Sequence, residues 1–456
     1  MSRRLPCFSL CGQLVMGLIF VLLALLDPFG LSSSSDQASE QWLNRMFASR
    51  YENKGQHEIA VVLLDDAYLQ RNHTYWPLPY DEQSKLFKRL LAFKPGAVFV
   101  DFLYSHDHSA DDPLKGSQLL ANVFDRYQRR GIPLFLANTG QVRGHDGRAN
   151  TIPALTDVST PALVAWSGIG ERYPLAVDTS LGAMETPALA LYRQYCSSHG
   201  CVGLPSDTTT ALAKPPVAIQ WGLKVPPEQA DVANAKDCAL SGSAFDEFWK
   251  QLSRAMFWRL DSNDDERQVC RYTLTLTASD LEVTDEKDRA LIGRLLAGRM
   301  VLVGANITSA GDLTESPVHG QVPGVFLHAM ALDNLITMGM DYDRDPASFG
   351  KTDINWQDLF GLLLVGMIAG LKAFHAQIAH KARRKGWLTR IRLEVLSRLL
   401  SWIVLIAFLW LLSRVLNASH YTPVNVLGVL LISLVLVGEA LKPLPKIIIR
   451  RYQKGI

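Results

Sequence analysis

The stretch EIAVVLLDD, Glu58 to Asp66, contains six consecutive apolar residues followed by two aspartates. A short apolar run of this kind is typical of a strand that is buried on both faces, as in a parallel sheet. Pro79 to Phe93 follows with the spacing of an amphipathic helix, and AVFVDFLY, Ala97 to Tyr104, is a second strand-like run. The sequence therefore predicts a β-α-β unit as the start of the fold.

The same alternation continues along the chain. A helix is predicted over Leu114–Arg130 and a strand over Ile132–Asn138. The pattern returns later as the helix Asp288–Leu296, the strand Met300–Asn306 and the helix Pro323–Met338. Alternating strands and helices indicate an α/β fold with a largely parallel sheet flanked by helices.

The middle of the chain is less regular. We predict a helix near Ala188–Cys196, a strand near Val217–Trp221 and a half-exposed strand over Tyr272–Ala278, whose sequence YTLTLTA alternates. This middle region is interpreted as an insertion or a subdomain of the same domain.

Four hydrophobic segments flank this α/β region. A stretch of about 20 apolar residues crosses the hydrocarbon core of a bilayer. The sequence predicts four transmembrane helices, one N-terminal and three C-terminal, over residues 8–26, 356–375, 399–416 and 424–441.

Basic residues set the expected orientation. They are concentrated in the connection 376–398, and Arg3, Arg4, Arg450 and Arg451 lie near the chain ends. The positive-inside rule then places 1–7, 376–398 and the tail 442–456 in the cytoplasm, and 27–355 and 417–423 outside. Alternatively, the first segment is a cleaved signal sequence, although no A-x-A site follows Leu26.

Composition and cysteines agree with an exported domain. The chain has 46 basic and 44 acidic residues, so its charge does not predict binding to nucleic acid. Four cysteines fall in the predicted outer domain: Cys196, Cys201, Cys238 and Cys270. An even number outside the cytoplasm favours two disulfides. We expect Cys196–Cys201 and Cys238–Cys270, while three connectivities exist and buried free thiols are the alternative.

Acidic and imidazole side chains follow the predicted strands. Asp65 and Asp66 end the first strand, and Asp101 ends the second on the same edge of the sheet, where open α/β sheets bind ligands. Together with His106 and His108, Asp101 could hold a divalent metal. Alternatively, Asp101 is a buried hydrogen-bonding residue and the loop after it is a solvated surface loop. The presence of a metal stays open.

A second loop that could bind a ligand follows the strand near residue 303. Gly304–Gly320 is rich in glycine and hydroxyl side chains, and could present backbone N–H groups to an anion or a small polar ligand. Asp312 and His319 could add polar contacts; the alternative is a long surface loop. If the strand ends converge, Asp66, Asp101, Asp312 and His328 line one pocket.

We expect the chain not to be an enzyme. Neither a G-x-S-x-G nor an H-E-x-x-H motif occurs in the sequence, and no kinase or cyclase signature is found. The sequence predicts no cofactor.

Several stretches carry a resemblance to a known family. They are IAVVLLDDAYL at 59–69, YWPLPY at 75–80, GAVFVDFLYSHDHSADDP at 96–113, and the long stretch that begins MVLVGANITS at Met300 and ends at Ile336. Together they resemble the CHASE2 extracellular sensory domain of bacterial membrane receptors. Family members commonly continue into a kinase or cyclase module after the last span, whereas this sequence ends at Ile456.

The resemblance implies a sensory protein of the bacterial cytoplasmic membrane, with its main domain in the periplasm. We expect an unknown ligand or periplasmic protein to bind that domain, and a separate cytoplasmic or membrane effector to receive the signal. The protein could also form a homodimer. One alternative is a structural or assembly factor of an envelope complex, and another is a metal-dependent periplasmic hydrolase.

Overall fold

The computed structural model describes residues 31–109, 115–143, 148–167, 172–232, 249, 271–347, 350, 355–382 and 387–422. These residues belong to two compact units, Asn44–Arg344 and a second unit formed by the residues before and after it.

Within the described residues the strands are β1 (Ile59–Asp65), β2 (Ala97–Val100), β3 (Leu134–Asn138), β4 (Val142–Arg143), β5 (Arg148–Ala149), β6 (Thr160–Leu163), β7 (Ala176–Thr179), β8 (Gly182–Glu185), β9 (Leu274–Thr277), β10 (Met300–Asn306), β11 (Leu313–Ser316) and β12 (Gly320–Pro323).

The described α-helices are α1 (Leu31–Phe47), α2 (Asp66–Arg71), α3 (Tyr80–Ala92), α4 (Gly116–Arg129), α5 (Pro153–Thr156), α6 (Pro187–His199), α7 (Thr208–Leu212), α8 (Glu286–Leu296), α9 (Val325–Met338), α10 (Trp356–Ala382) and α11 (Trp387–Ala418).

The main sheet has six parallel strands in the order β6-β3-β2-β10-β1-β9. The predicted α/β fold with a parallel sheet is therefore confirmed. The last strand in sequence, β10, is inserted between β1 and β2. Its residues Met300–Asn306 pair with all seven residues of β1, and the first six residues of each strand are buried, as is typical of the centre of a parallel sheet.

Helices cover both faces of this sheet. On one face α3, α4 and α8 pack through residues such as Phe87, Phe124 and Leu296. On the other face α6 and α9 pack through residues such as Leu191 and Leu332. The helix α3 buries one side only, whereas every residue of α9 from 325 to 335 is buried. The α9 helix therefore lies in the interior of the domain.

The middle region differs from the predictions in three respects. The region supplies both edge strands of the main sheet, β6 and β9, so it is not an insertion. The predicted strand between Val217 and Trp221 does not form. Val217 makes only an isolated antiparallel pair with Tyr173. The Gln220 N–H donates to the Asn334 side chain and not to a neighbouring strand. The β9 strand occurs as predicted but is largely buried rather than half-exposed.

The disulfide between Cys196 and Cys201 is present, at the C-terminal end of α6. Cys238 and Cys270, predicted to form the second disulfide, lie outside the described residues.

In the second unit, α10 and α11 pack on each other. Their contacts include Ile368 with Leu405, and Leu412 and Leu416 with Phe360. These helices cover the predicted spans 356–375 and 399–416. Within the part of the chain that the structure describes, however, no helix combines the length and apolar character needed to cross a membrane, and these two spans are not confirmed. The predicted spans 8–26 and 424–441 lie outside the described residues.

Candidate functional site at the carboxyl edge of the sheet

The chain leaves neighbouring strands of the sheet on opposite faces. After β1 it continues into α2 and α3, which lie with α4 on one face. After β10 it passes through the hairpin β11–β12 into α9 on the other face. The connections therefore diverge beside the carboxyl end of β10, and open parallel sheets bind ligands at such a position.

A cleft of about 750 Å³ lies between the ends of β1 and β10. Its walls offer a carboxylate, an imidazole, an amide and several hydroxyl groups beside one apolar side chain. The lining residues are Asp66, Leu69, Gln70, His73, Thr74, Thr308 and Ser309. Most of these groups are exposed to solvent and can exchange water for a polar ligand.

Asp66 joins the two walls of the cleft. Its Oδ2 atom accepts hydrogen bonds from the Thr308 hydroxyl at 2.7 Å and from the Thr308 backbone N–H at 3.2 Å. Asp65, the other aspartate at this strand end, has a different role. Its Oδ1 atom accepts from the Tyr68 N–H at 2.8 Å and so caps the first turn of α2. Of the two predicted ligand residues, Asp66 lies at the cleft and Asp65 holds the local backbone.

The carboxyls of Asp101 and Asp312 interact on the other side of β10. Asp101 follows β2, and its N–H donates to the Val303 carbonyl at 2.8 Å. Burial and the negative charge of Asp312 raise the pKa of Asp101 to about 8, and burial raises the pKa of Asp312. At neutral pH Asp101 therefore holds a proton, and this side of the strand end can donate as well as accept a hydrogen bond.

His328 lies inside the domain rather than at the cleft. It is on α9, where its Nδ1 atom is 2.8 Å from the Tyr173 hydroxyl and its ring meets Phe99 edge to face. Burial lowers the pKa of His328 to about 3, so the ring is neutral. We assign it to the packing of α9 against the sheet, because it does not line the cleft.

His319 is also turned away from the cleft. Its Nε2 atom is 2.9 Å from the Gly222 carbonyl, which can only accept, so this nitrogen carries the proton. Burial lowers the pKa of His319 to about 4. The side chain holds the β11–β12 hairpin against the 222 region.

The structure gives no support for a metal at the Asp/His loop. Among the described residues, no three His, Cys, Asp or Glu side chains are placed to hold a metal ion. His106 Nδ1 lies 2.9 Å from the Ser105 hydroxyl, and the His108 ring packs near Tyr80. Asp107 accepts hydrogen bonds from Ser109 and Ser117 and so orders the loop. Burial raises the pKa of Asp107, but these hydrogen bonds together lower it below its ordinary value.

Several cleft residues are new relative to the sequence predictions. Thr308 and Ser309 lie in the glycine- and hydroxyl-rich loop that was predicted to bind a ligand, but neither is among the ligand-binding residues predicted from the sequence. Gln70 lies in α2, and His73 and Thr74 follow it. With only six residues, α2 is too short to be recognised from the spacing of its apolar residues.

The fold and these motifs agree with a comparison of the sequence with known families. A family model described as the CHASE2 domain matches residues 15–371. The chain belongs to the CHASE2 family. CHASE2 domains are sensory domains that usually lie outside the cell. No curated protein and no solved structure matches the chain.

Proposed function

We propose that this CHASE2 protein is a sensor whose α/β domain binds a small polar ligand in the cleft between Asp66 and Thr308. The observation that carries the proposal is the position of the cleft, at the point where neighbouring strands lead to opposite faces. A ligand that takes the Asp66 carboxylate or the Thr308 hydroxyl competes with the bond that joins β1 to the loop after β10. Binding would thus favour one arrangement of the strand ends over another.

The α9 helix provides a route from this edge to the opposite end of the domain. It starts after Gly324, whose N–H donates to the Asp312 carbonyl, and ends at Met338. A helix of 14 residues is about 21 Å long. Because α9 is buried on all sides, a shift at its first turn would be passed on as a movement of the whole helix.

We further propose that the domain lies in the periplasm and is held at the cytoplasmic membrane, with a separate effector receiving the signal. The disulfide Cys196–Cys201 supports an oxidising compartment. Large apolar side chains on α10 and α11 are exposed, for example Leu363 at 51 %, Leu396 at 63 % and Ile403 at 62 %, which supports contact with lipid. Alkaline extraction of cell membranes, followed by protease treatment of spheroplasts, tests both placements.

The ligand proposal is tested with the full-length protein in detergent. Its thermal unfolding is followed against a panel of small sugars, amino acids and dicarboxylates. We expect at least one compound to raise the Tm of the wild type but not that of Asp66→Ala. Asp285→Ala is the matched control, because Asp285 also accepts a hydrogen bond from a backbone N–H, that of Lys287, but lies outside the cleft. A compound that stabilises Asp66→Ala as much as the wild type would rule out this cleft.

A docking role in an envelope complex is the second candidate. Three large apolar side chains near the carboxyl ends of β1, β2 and β10 are exposed: Tyr75 at 68 %, Leu103 at 55 % and Leu313 at 54 %. Exposed apolar side chains favour a protein partner over a small ligand. Purification from native membranes distinguishes the two, since a stoichiometric complex lost in Leu103→Asp would favour docking. The metal-dependent hydrolase gains no support from the described residues.

A further inference from the structure

A buried carboxyl group lies at the end of α9 away from the cleft. Asp333 is 1 % exposed. Its Oδ1 atom accepts hydrogen bonds from Tyr51 at 2.8 Å, Thr337 at 3.2 Å and Tyr272 at 3.3 Å. Its Oδ2 atom is buried and has no hydrogen-bond partner within the described part of the chain.

The bare oxygen is shielded from solvent by its neighbours, among them the backbone of Gly55. The backbone of Gly55 packs against it so closely that a Cβ atom there would lie 2.9 Å from Asp333 Oδ2. The Gly55 N–H donates to the Thr337 hydroxyl at 3.1 Å, which fixes this close approach. An ionised Asp333 would thus have one unpaired charged oxygen in the protein interior, and this is unfavourable.

Asp333 and its neighbour Asn334 contact the segment by which the chain enters the domain. The Tyr51 hydroxyl donates to Asp333 and accepts from Asn334 Nδ2 at 2.8 Å. Asn334 also bonds the backbone of Gln220, accepting from its N–H at 2.7 Å and donating to its carbonyl at 2.9 Å.

The Ala218–Leu223 segment in turn holds both ends of the domain. It bonds to Asn44 and Ala48, where the chain enters, and the Ala218 N–H donates to the Asp343 carbonyl at 2.7 Å, where the chain leaves. We call this set the junction: Asn44, Ala48, Tyr51, Ala218–Leu223, Asp333, Asn334 and Asp343. A change at Asp333 therefore reaches both segments through which the domain is connected to the rest of the protein.

We infer that Asp333 is a proton-binding site, and that its protonation state sets how tightly the junction holds the two ends of the domain. A proton from solvent binds the bare Oδ2 atom, because Oδ1 already accepts three hydrogen bonds. With the proton bound the carboxyl is neutral and the junction is closed. When the proton is released, the uncompensated charge is relieved by opening of the junction to water.

The electrostatics of the surroundings agree with this inference. Burial raises the pKa of Asp333 to about 7, against hydrogen bonds from Tyr51, Thr337 and Tyr272 that lower it. The described ionisable groups that contact Asp333 are Tyr51 and Tyr272, and burial raises the pKa of both phenols, so they stay neutral. His319 contacts the Ala218–Leu223 segment through Gly222, but it titrates at a pKa of about 4, below the pH range concerned.

The test measures hydrogen–deuterium exchange of junction amides in the full-length protein between pH 5 and 8.5, expressed as protection factors. The carboxyl titrates near pH 4 when the junction is open and near 7 when it is closed. Opening should therefore increase about tenfold per pH unit between pH 5 and 7 and level off above. In Asp333→Asn, whose amide cannot ionise, protection of the same amides should not depend on pH.

Two further variants keep the test decisive. Asp101→Asn removes the other carboxyl of raised pKa, at the opposite edge of the sheet, and should leave the pH response of the junction unchanged. Tyr51→Phe removes a hydrogen bond that lowers the pKa of Asp333, so the midpoint should move to higher pH even if Asp333→Asn does not fold. A pH response that persists in Asp333→Asn, or that is lost in Asp101→Asn, would overturn the inference. Ligand binding at Asp66 is not needed for any of these results.

Discussion

Polar side chains meet at both ends of the sheet, but their surroundings differ. At the carboxyl edge the bond between Asp66 and Thr308 is exposed, and water or a ligand can replace it. At the junction the bonds of Asp333 and Asn334 are buried, and water does not reach them while the junction is closed. Breaking the exposed bond should cost little energy, whereas breaking the buried ones should cost much more. One end is therefore suited to detecting a ligand and the other to holding the flanking segments.

The strongest test of this contrast compares two asparagines. Asn334→Ala removes three hydrogen bonds, two to the backbone of Gln220 and one to the Tyr51 hydroxyl, so we expect a loss of about 3 kcal/mol in the free energy of unfolding. Asn306→Ala, at the exposed end of β10, should cost less than about 0.5 kcal/mol. Chemical denaturation measures both, and equal losses would contradict the contrast.

A glycine pair tests whether α9 is fixed to the sheet at its first turn. A Cβ atom at Gly304 in β10 would lie 2.6 Å from the Val325 side chain, so Gly304→Ala should destabilise the domain by about 2 kcal/mol through overpacking. Gly293→Ala in α8 meets nothing closer than 3.9 Å and should be neutral or stabilising. If thermal unfolding shows no difference between the two variants, the close packing of α9 is not important for stability.

The pH dependence of global stability gives an effect of similar size with a defined sign. Asp101 and Asp333 have raised pKa values in the folded protein, which binds their protons more tightly than the unfolded chain does. The free energy of unfolding should therefore fall as the pH rises towards 8. Each of the two groups contributes about 1.4 kcal/mol per pH unit until the pH reaches its pKa in the folded protein. His319 and His328, with lowered pKa values, oppose this below about pH 6.5, where the unfolded chain protonates them.

In the window from pH 6.5 to 8 the fall in stability should come mainly from these two carboxyls, and above pH 7 mainly from Asp101. Urea titrations at several pH values should show a decrease in the wild type that Asp101→Asn largely removes. A stability that rises with pH in this window would contradict the assignment of the two protons.

The smallest change is expected at the cleft itself. Thr308→Val removes the hydroxyl that donates to Asp66 but keeps the backbone N–H bond, and should cost about 0.5 kcal/mol. Ser309→Ala is the neighbouring control and should have no measurable effect. A loss of more than about 2 kcal/mol in Thr308→Val would mean that this bond holds the fold and is not available to a ligand.

The sequence predicted the strands and helices of the core because their apolar periodicity is local. It predicted the Cys196–Cys201 pair for the same reason, since the two cysteines are close in the chain. It did not predict that β10 lies between β1 and β2. The pattern of apolar residues identifies a buried strand but does not show which strands pair with it.

The candidate site was predicted only in part. That a ligand site would lie at the carboxyl edge follows from the alternation of strands and helices, which predicts a parallel sheet. The different roles of Asp65 and Asp66 depend on the local backbone geometry, which the sequence does not show. The sequence analysis does not predict a role for Asp333 and Asn334, although two adjacent polar residues inside the apolar run of α9 indicate one. Their partners Tyr51 and Gln220 are 282 and 114 residues away in the chain, and only the folded structure brings them together.

The position of β10 also bears on how the domain is made. A nascent chain that has been synthesised only as far as β9 has all the other strands of the main sheet but lacks the one that joins β1 to β2. The sheet is then in two halves, β6-β3-β2 and β1-β9. In each half the apolar strand that would pair with β10, β2 or β1, has an unpaired edge. At a typical synthesis rate of 5–20 residues per second, this state lasts for at least about a second before Asn306 is reached. Until then the chain depends on whatever protects exposed strands from aggregation, and a product truncated before β10 should not fold at all.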